Sequence, residues 1–295
     1  MYRRGRSRVM PDPNGQKNVK AAATSALFSP VQTRSRIYNP LGRYREWKPC
    51  PDLQGRVCCY WYLPARPDGS VVAACERMVP DGCIDLILQW DRMSGEAVTF
   101  VVGTVDRPVF VPAEDTRWDR LGIRFYPGGL QHILREPGHL FTNRNYPLAE
   151  INKSLETELT CSVRPAVPAE ELVLAVQQCL LARLQDRLPW DHTFRNALRH
   201  IYLAKGRLTV HEMSQRECVS SKQLGRIFLE RTGLSTKTFT QIIRFQQVLR
   251  HLNQEADPVL IRAALEHGYY DQAHFIHEFA DFSGLLPSDY VKQSG

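Results

Sequence analysis

Apolar positions change their spacing along this chain, and each change marks a different kind of element. Between about residues 45 and 125 they come in short runs: Val57–Leu63, Val71–Val79, Cys83–Trp90, Val98–Val102, Val109–Val111 and Leu121–Tyr126. Pro-Asp-Gly at 67–69 and 80–82, Ser94-Gly95, Gly103 and Pro112 separate them. Runs rich in β-branched and aromatic residues, broken by turn formers, predict strands. Many short strands in succession suit an antiparallel barrel or sandwich rather than alternating βαβ units. Pro127-Gly128-Gly129 ends this texture, and Leu130–Leu134 predicts a short helix at the barrel's end. From Glu170 to Leu188 the spacing turns helical, with Leu172, Val173, Val176, Leu180, Leu181 and Leu184 on one face. Glu170 and Glu171 open that helix, where the dipole favours acids. Its apolar face packs on the barrel; a share of a homodimer interface is the second assignment.

After Leu188-Pro189-Trp190 the pattern is helical throughout. Asp191 caps a helix through Phe194, Leu198, Ile201 and Tyr202, which Lys205-Gly206 stops. Thr209 with Glu212 three residues on is a capping-box signature for a short helix. From here a small device is written twice. Leu224-Gly225-Arg226-Ile227-Phe228 aligns with Phe275-Ile276-His277-Glu278-Phe279 at an offset of 51, which also places Gly233-Leu234 on Gly284-Leu285 and Phe239 on Tyr290. Upstream the offset is 50, with Met213-Ser214 on Ala263-Ala264 and Cys218 on Gly268, so the second turn holds one extra residue. Each copy reads as a short helix, a tight turn and a longer helix. That is the outline of a helix-turn-helix, whose second helix enters a DNA major groove.

In the first copy Leu224, Ile227 and Phe228 point inward, leaving Lys222, Gln223, Gly225, Arg226 and Leu229 outward. Lys and Arg suit guanine O6 and N7, and Gln suits adenine N6 and N7. Ser220 and Ser221, at the helix start, can approach phosphate. A long helix then runs from Ser235 through Phe239, Ile242, Phe245, Val248 and Leu252. Roughly 18 residues at ~1.5 Å each span about 27 Å, a spacer for two readers one DNA turn of about 34 Å apart. In the second copy Pro258 opens a helix with Ile261 and Leu265 inward. Asp271–Phe282 follows, with Phe275 and Phe279 inward and Gln272, His274 and His277 outward. The DNA-facing set is therefore Ser220, Ser221, Lys222, Gln223, Arg226 and Lys237 from the first copy and its spacer, with Asp271, Gln272, His274 and His277 from the second. Helix pairs joined by glycine are common in bundles, so one copy alone says little. Two copies with matching Phe and Gly at one offset say much more.

The second copy, Gly268-Tyr269-Tyr270-Asp271-Gln272-Ala273-His274-Phe275 with Phe279 and Gly284-Leu285-Leu286-Pro287-Ser288-Asp289-Tyr290, resembles the signature of the AraC/XylS family of bacterial transcriptional regulators. Val219–Phe228 with Thr232-Gly233 is similar to that family's partner motif. The resemblance covers about 190–292. It implies two readers of adjacent major grooves, with Lys222, Gln223, Arg226, Gln272, His274 and His277 nearest the bases, and RNA polymerase as a partner beside double-stranded DNA. Members commonly carry Arg near His277 and Lys at the position of Ala280, so the second reader should grip phosphate less firmly and depend on the first. Cys218 stands where glycine often sits.

In the front half, Trp61, Pro80–Leu86 and Gly122–Gly129 resemble the amino-terminal domain of a subset of these regulators. The resemblance implies a cupin-like sensor for a small-molecule effector, compatible with homodimerisation. Asp85 and Arg124 are charges set in apolar strands. They belong either to an effector pocket with Trp61 or to a structural ion pair, the simpler account. The expected architecture is α+β in two domains: a basic, disordered tail over 1–40, a β-barrel or cupin-like sensor domain over 41–188, and an all-α double helix-turn-helix over 189–295.

Charge changes the picture in one respect. The net charge is +7, yet residues 1–48 hold 11 Lys/Arg against 2 Asp/Glu, whereas 190–295 hold 13 against 11. Basicity lies in the tail, so what counts for DNA is whether Lys222, Arg226, Arg231, Lys237 and Arg244 cluster on one face. The 8 cysteines form no CxxC pair, which predicts ordinary thiols and neither a zinc site nor disulfides. Cys58 and Cys59, adjacent on a strand, should point to opposite faces. The basic start Met1–Arg8 is followed by no apolar stretch, so neither a signal peptide nor a membrane span is expected and the cytoplasm is the expected location. The competing function is an enzyme, a cupin-like oxygenase joined to a DNA-binding half. Such barrels hold metal through clustered His and carboxylate, and no His occurs between 45 and 125. Pro49-Cys50-Pro51 offers no base to activate a repair nucleophile. No catalytic residue, metal or cofactor is expected.

Overall fold

The computed structural model describes residues 24, 26–32, 44–65, 75–112, 118–163, 167–184, 192–255 and 258–294. Among these residues eight strands precede the main helices: β1 (Arg45–Trp47), β2 (Val57–Leu63), β3 (Cys75–Met78), β4 (Ile84–Asp91), β5 (Ala97–Val102), β6 (Val109–Pro112), β7 (Trp118–Phe125) and β8 (Asn145–Pro147). Six form one antiparallel sheet in the order β1-β2-β7-β4-β5-β8, and β3 pairs with β6 separately. The fold is the expected α+β pair of domains, with a front sheet that stays open at β1 and β8 instead of closing into a barrel.

The period of two along each strand divides the sheet's faces. Tyr60, Leu86, Leu88, Val101, Leu121, Ile123 and Phe125 are buried on one face. That face is covered by α3 (Lys153–Cys161) through Leu155 and Leu159, and by α4 (Ala169–Arg183) through Leu172, Val173, Val176 and Leu180. The opposite face carries Cys59, Trp61, Asp85, Ile87, Gly122 and Arg124. A register shift between Val57 and Cys59 makes Cys58 a bulge residue, so the strict alternation expected of the Cys58-Cys59 pair does not hold there. Two short helices, α1 (Gln131–Leu134) and α2 (Leu148–Ile151), flank β8. The predicted strand at 71–79 is described only from Cys75, and the stretch beyond Leu184 up to Asp191 lies outside the described residues, including the expected Asp191 cap.

The second core belongs to the helices α5 (His192–Leu203), α6 (Val210–Arg216), α7 (Ser221–Thr232), α8 (Thr236–Gln254), α9 (Leu260–Glu266), α10 (Gln272–Ser283) and α11 (Pro287–Ser294). Phe194, Phe228, Phe239, Phe245, Phe275 and Phe279 are fully buried there and meet in edge and tilted contacts 5.2 to 5.8 Å apart. One inward assignment fails. Ile261 and Leu265 on α9 are 46% and 62% exposed, while Ala263 and Ala264 face the core. Small residues there let α9 approach closely and rotate its larger side chains outward.

Residues 26–32 fall in the stretch whose composition predicted a disordered tail, yet they pack. Phe28 is buried and stacks on Tyr202 at 4.9 Å. The buried Gln246 side chain accepts the Val31 amide at 2.7 Å and donates to the carbonyls of Val31 and Pro80 at 2.9 and 2.8 Å. Gln32 exchanges two bonds with the Val79 backbone and donates to Asp81 at 2.9 Å. This short segment is therefore wedged between the two domains. The remainder of the expected tail lies outside the described residues, apart from Thr24.

Candidate nucleic-acid interface and sensor cavity

The two copies fold alike down to their caps. Thr209 and Glu212 form the expected capping box at α6. The turn before α7 passes through Cys218 at φ +54°, and the turn before α10 through Gly268 at φ +80°. Both are left-handed, which glycine adopts freely and cysteine does not. Ser220 then caps α7 by accepting the Gln223 amide, and Asp271 caps α10 by accepting the His274 amide. Each reading helix ends on a left-handed glycine, Gly233 or Gly284. The residue before each glycine clasps the turn: Thr232 Oγ1 donates to the Phe228 carbonyl and accepts the Leu234 amide, and Ser283 Oγ does the same with Phe279 and Leu285.

These frames expose Ser220, Ser221, Lys222, Gln223 and Arg226 on α7 and its cap, and Lys237 at the start of α8. Ser221 also meets Ser214 Oγ at 3.1 Å, tying α7 to α6. On the second copy Asp271, Gln272, His274 and His277 are exposed. His274 lies 5.3 Å from the Tyr269 ring and 3.6 Å from the Glu278 carboxylate. Asp271, expected among the DNA-facing residues, has its carboxylate engaged in the cap. Tyr270, unassigned from sequence, is 90% exposed immediately beside it.

Two of the five cations considered for a common face are spent elsewhere. Arg244 is half-buried against Glu278, with Nε at 2.9 Å from Oε1, and lies 4.6 Å over the Tyr269 ring. Gln241 donates to the same carboxylate at 2.9 Å. This cluster fixes α10 on α8. Arg231 donates to Gln131 Oε1 at 2.9 Å across the domain boundary. Of the five, Lys222, Arg226 and Lys237 remain exposed. Among the described residues no group of three or more His, Cys, Asp or Glu is placed to hold a metal.

In the front domain Arg124 Nε and Nη2 donate to Asp85 at 3.1 and 3.0 Å, and Nη1 lies 3.6 Å from Asp81. Burial pushes the Asp85 carboxyl up, against the pull of the adjacent guanidinium. Asp85 and Arg124 form an ion pair, and that pair lines a cavity of about 140 Å³ that Val105, Val109, Val111 and Asn143 also border. Trp61 is not on that wall. It lies across Gly122, where an added Cβ would fall 1.8 Å from the indole ring. Cys83 borders the cavity too, its thiol pushed up by burial.

Residues 213–293 match the family described as a helix-turn-helix domain, over the segment that contains both readers. The chain carries an AraC-type DNA-binding domain. It is in kind a DNA-binding transcription regulator. Residues 45–147, upstream of the AraC-type domain, match a family described as a domain of unknown function (DUF6597). No curated protein sequence matches the chain. Among solved structures, ToxT from Vibrio cholerae is similar at 8% identity, covering 79% of this chain and 98% of ToxT, with a TM-score of 0.39. A ToxT structure bound to (E)-4-(8-methylnaphthalen-1-yl)but-3-enoic acid gives 8% identity, 76% and 97% coverage, and a TM-score of 0.41. Among the described residues no helix is long and apolar enough to cross a membrane.

Proposed function

We propose that this chain is a sequence-specific transcriptional regulator whose two readers occupy successive major grooves of one asymmetric site, under the control of a small molecule bound in the front domain. One observation carries the reading: two helices, built on the same caps at a fixed offset, both leave the first turns after those caps exposed. Lys222, Gln223 and Arg226 on α7 and Gln272, His274 and His277 on α10 face the bases, while Ser220, Ser221 and Lys237 approach phosphate. Asp271 holds the second helix in place, and Tyr270 joins the surface beside it. A regulator of this kind reads DNA in the cytoplasm and acts on RNA polymerase at a promoter.

The effector site is the cavity beside Asp85 and Arg124. At about 140 Å³ it matches a ligand the size of benzene, which an engineered cavity of about 150 Å³ holds. Its valine wall suits an apolar body, and its charged wall suits a polar edge.

Selection of bound duplexes from a random pool by the full chain, followed by gel-shift titration at fixed salt, tests the reading. Enrichment of one two-part site is expected. Recovery of unrelated sequences, with no preference above nonspecific binding, would overturn it.

A further inference from the structure

The front domain meets the ends of both reading helices, in part through residues adjacent in sequence to the wall of its own cavity. At the first reader, the last carbonyls of α7 have no partner within the helix. Gln131 Nε2 donates to the Glu230 carbonyl, Thr104 Oγ1 to that of Thr232 at 2.7 Å, and Thr142 Oγ1 to that of Gly233 at 2.8 Å. The backbone of Gly138 is pressed so close that an added Cβ would stand 2.8 Å from the Gly233 nitrogen. At the second reader the equivalent glycine, Gly284, is met by Pro108 and Phe110, with an added Cβ 3.3 and 3.5 Å from their rings. The front domain thus touches the same place in both copies, 51 residues apart, through polar bonds at one and apolar contact at the other.

Four of the contacting residues are sequence neighbours of residues that line the cavity. Thr104 and Thr142 face the first reader, while their neighbours Val105 and Asn143 border the cavity. Pro108 and Phe110 face the second, while Val109 and Val111 border the cavity. Asp106 and Asn143 bind each other at 3.0 and 3.1 Å, so the two segments move as one piece.

We propose that the segment 104–110, braced by 142–143, is the coupler between cavity and DNA. A molecule that enters the cavity displaces this wall and shifts both helix ends together, changing the angle and spacing of the readers. The coupler rests on the effector reading above, since it gives occupancy its consequence. It also predicts that the two ends respond unequally, the hydrogen-bonded first being the stiffer.

Hydrogen exchange on the full chain tests the coupler without ligand or DNA, so its failure is separable from failure of the functional reading. Val105→Phe supplies bulk to the cavity in place of a ligand. Exchange should quicken by about fivefold or more in peptides spanning 229–236 and 280–287, with the peptide over α9 unchanged. Val105→Ile, which adds one methyl group, serves if phenylalanine unfolds the domain, with smaller changes at the same two places. Altered exchange confined to residues 97–112, with both helix ends as in the wild type, would overturn the proposal for either variant.

Discussion

Ser220 and Asp271, 51 positions apart, stand at the same point of the two readers and perform the same task. The Ser220 hydroxyl accepts the Gln223 amide at 3.1 Å, and the Asp271 carboxylate accepts the His274 amide at 2.7 Å. A side chain so engaged sets where its helix begins, and hence which residues its first turn exposes.

Removing either cap should cost stability before any DNA is present. Ser220→Ala and Asp271→Ala are each expected to destabilise the chain by about 1 kcal/mol, read from urea unfolding monitored by circular dichroism. An unchanged midpoint for Asp271→Ala would mean that the carboxylate does not order its helix.

The closing glycines Gly233 and Gly284 and the inner aromatic positions were legible because they repeat, and repetition separates signal from the background of amphipathic helices; the caps Ser220 and Asp271 were not, since a polar side chain at a helix start reads equally as a DNA contact. Partner choice among charges was not. Nothing in the spacing of Arg231 and Arg244 says that one crosses to Gln131 and the other sinks onto Glu278, since both pairings join segments remote in sequence. Composition likewise marked residues 1–40 as a tail. It could not show that one aromatic residue, Phe28, finds a ring to stack on and carries Val31 and Gln32 into the domain boundary. The strands were found nearly in place, but their closure into a barrel depends on edge pairing, which no single strand encodes.

Cys218 occupies a left-handed turn position at φ +54° and is exposed, so its side chain adds strain with no packing to offset it. Cys218→Gly should stabilise the chain by about 0.5–1 kcal/mol. The reverse change in the second copy, Gly268→Ala, should destabilise by more than that. It keeps the left-handed backbone and brings a Cβ to 2.6 Å from Arg207 Cδ. Thermal melts of the two variants should move in opposite directions.

Glu278 is 4% exposed and holds both Arg244 and Gln241. Glu278→Ala takes the carboxylate from a half-buried guanidinium, a loss of charge-assisted hydrogen bonds that should cost about 1.5–3 kcal/mol. If the chain remains folded, exchange should rise in α10 and not in α7. Equal loosening of both readers would contradict the assignment of this cluster to the second.

His267 is buried, and desolvation together with the neighbouring His251 pushes its pKa down to about 4. The imidazole stays neutral in the folded chain while the unfolded chain takes up a proton near the ordinary value of about 6.5. Because the unfolded state then binds more protons, stability rises with pH. The contribution is complete above about pH 6.5 and is lost as pH falls toward 4. Unfolding free energy should therefore drop between pH 7 and pH 5, and His267→Gln should flatten that slope. A variant with the wild-type slope would exclude His267 as its source.

With Arg231 and Arg244 engaged, the exposed cations of the proposed reading face are Lys222, Arg226 and Lys237, all on the first copy or the helix that follows it. The second copy offers Gln272, His274 and His277, with no Lys or Arg among them. Affinity should therefore rest mainly on the first reader. Arg226→Ala is expected to weaken binding to a selected duplex by about 1–3 kcal/mol and to relax preference at the base pairs it faces. Lys237→Ala should weaken all duplexes nearly alike and lower the salt dependence of binding by about one ion. Gln272→Ala should alter sequence preference in the other half-site with a smaller loss of affinity. Gel-shift titrations over several salt concentrations separate the three, and equal losses from Arg226→Ala and Gln272→Ala would show that the two readers share the load.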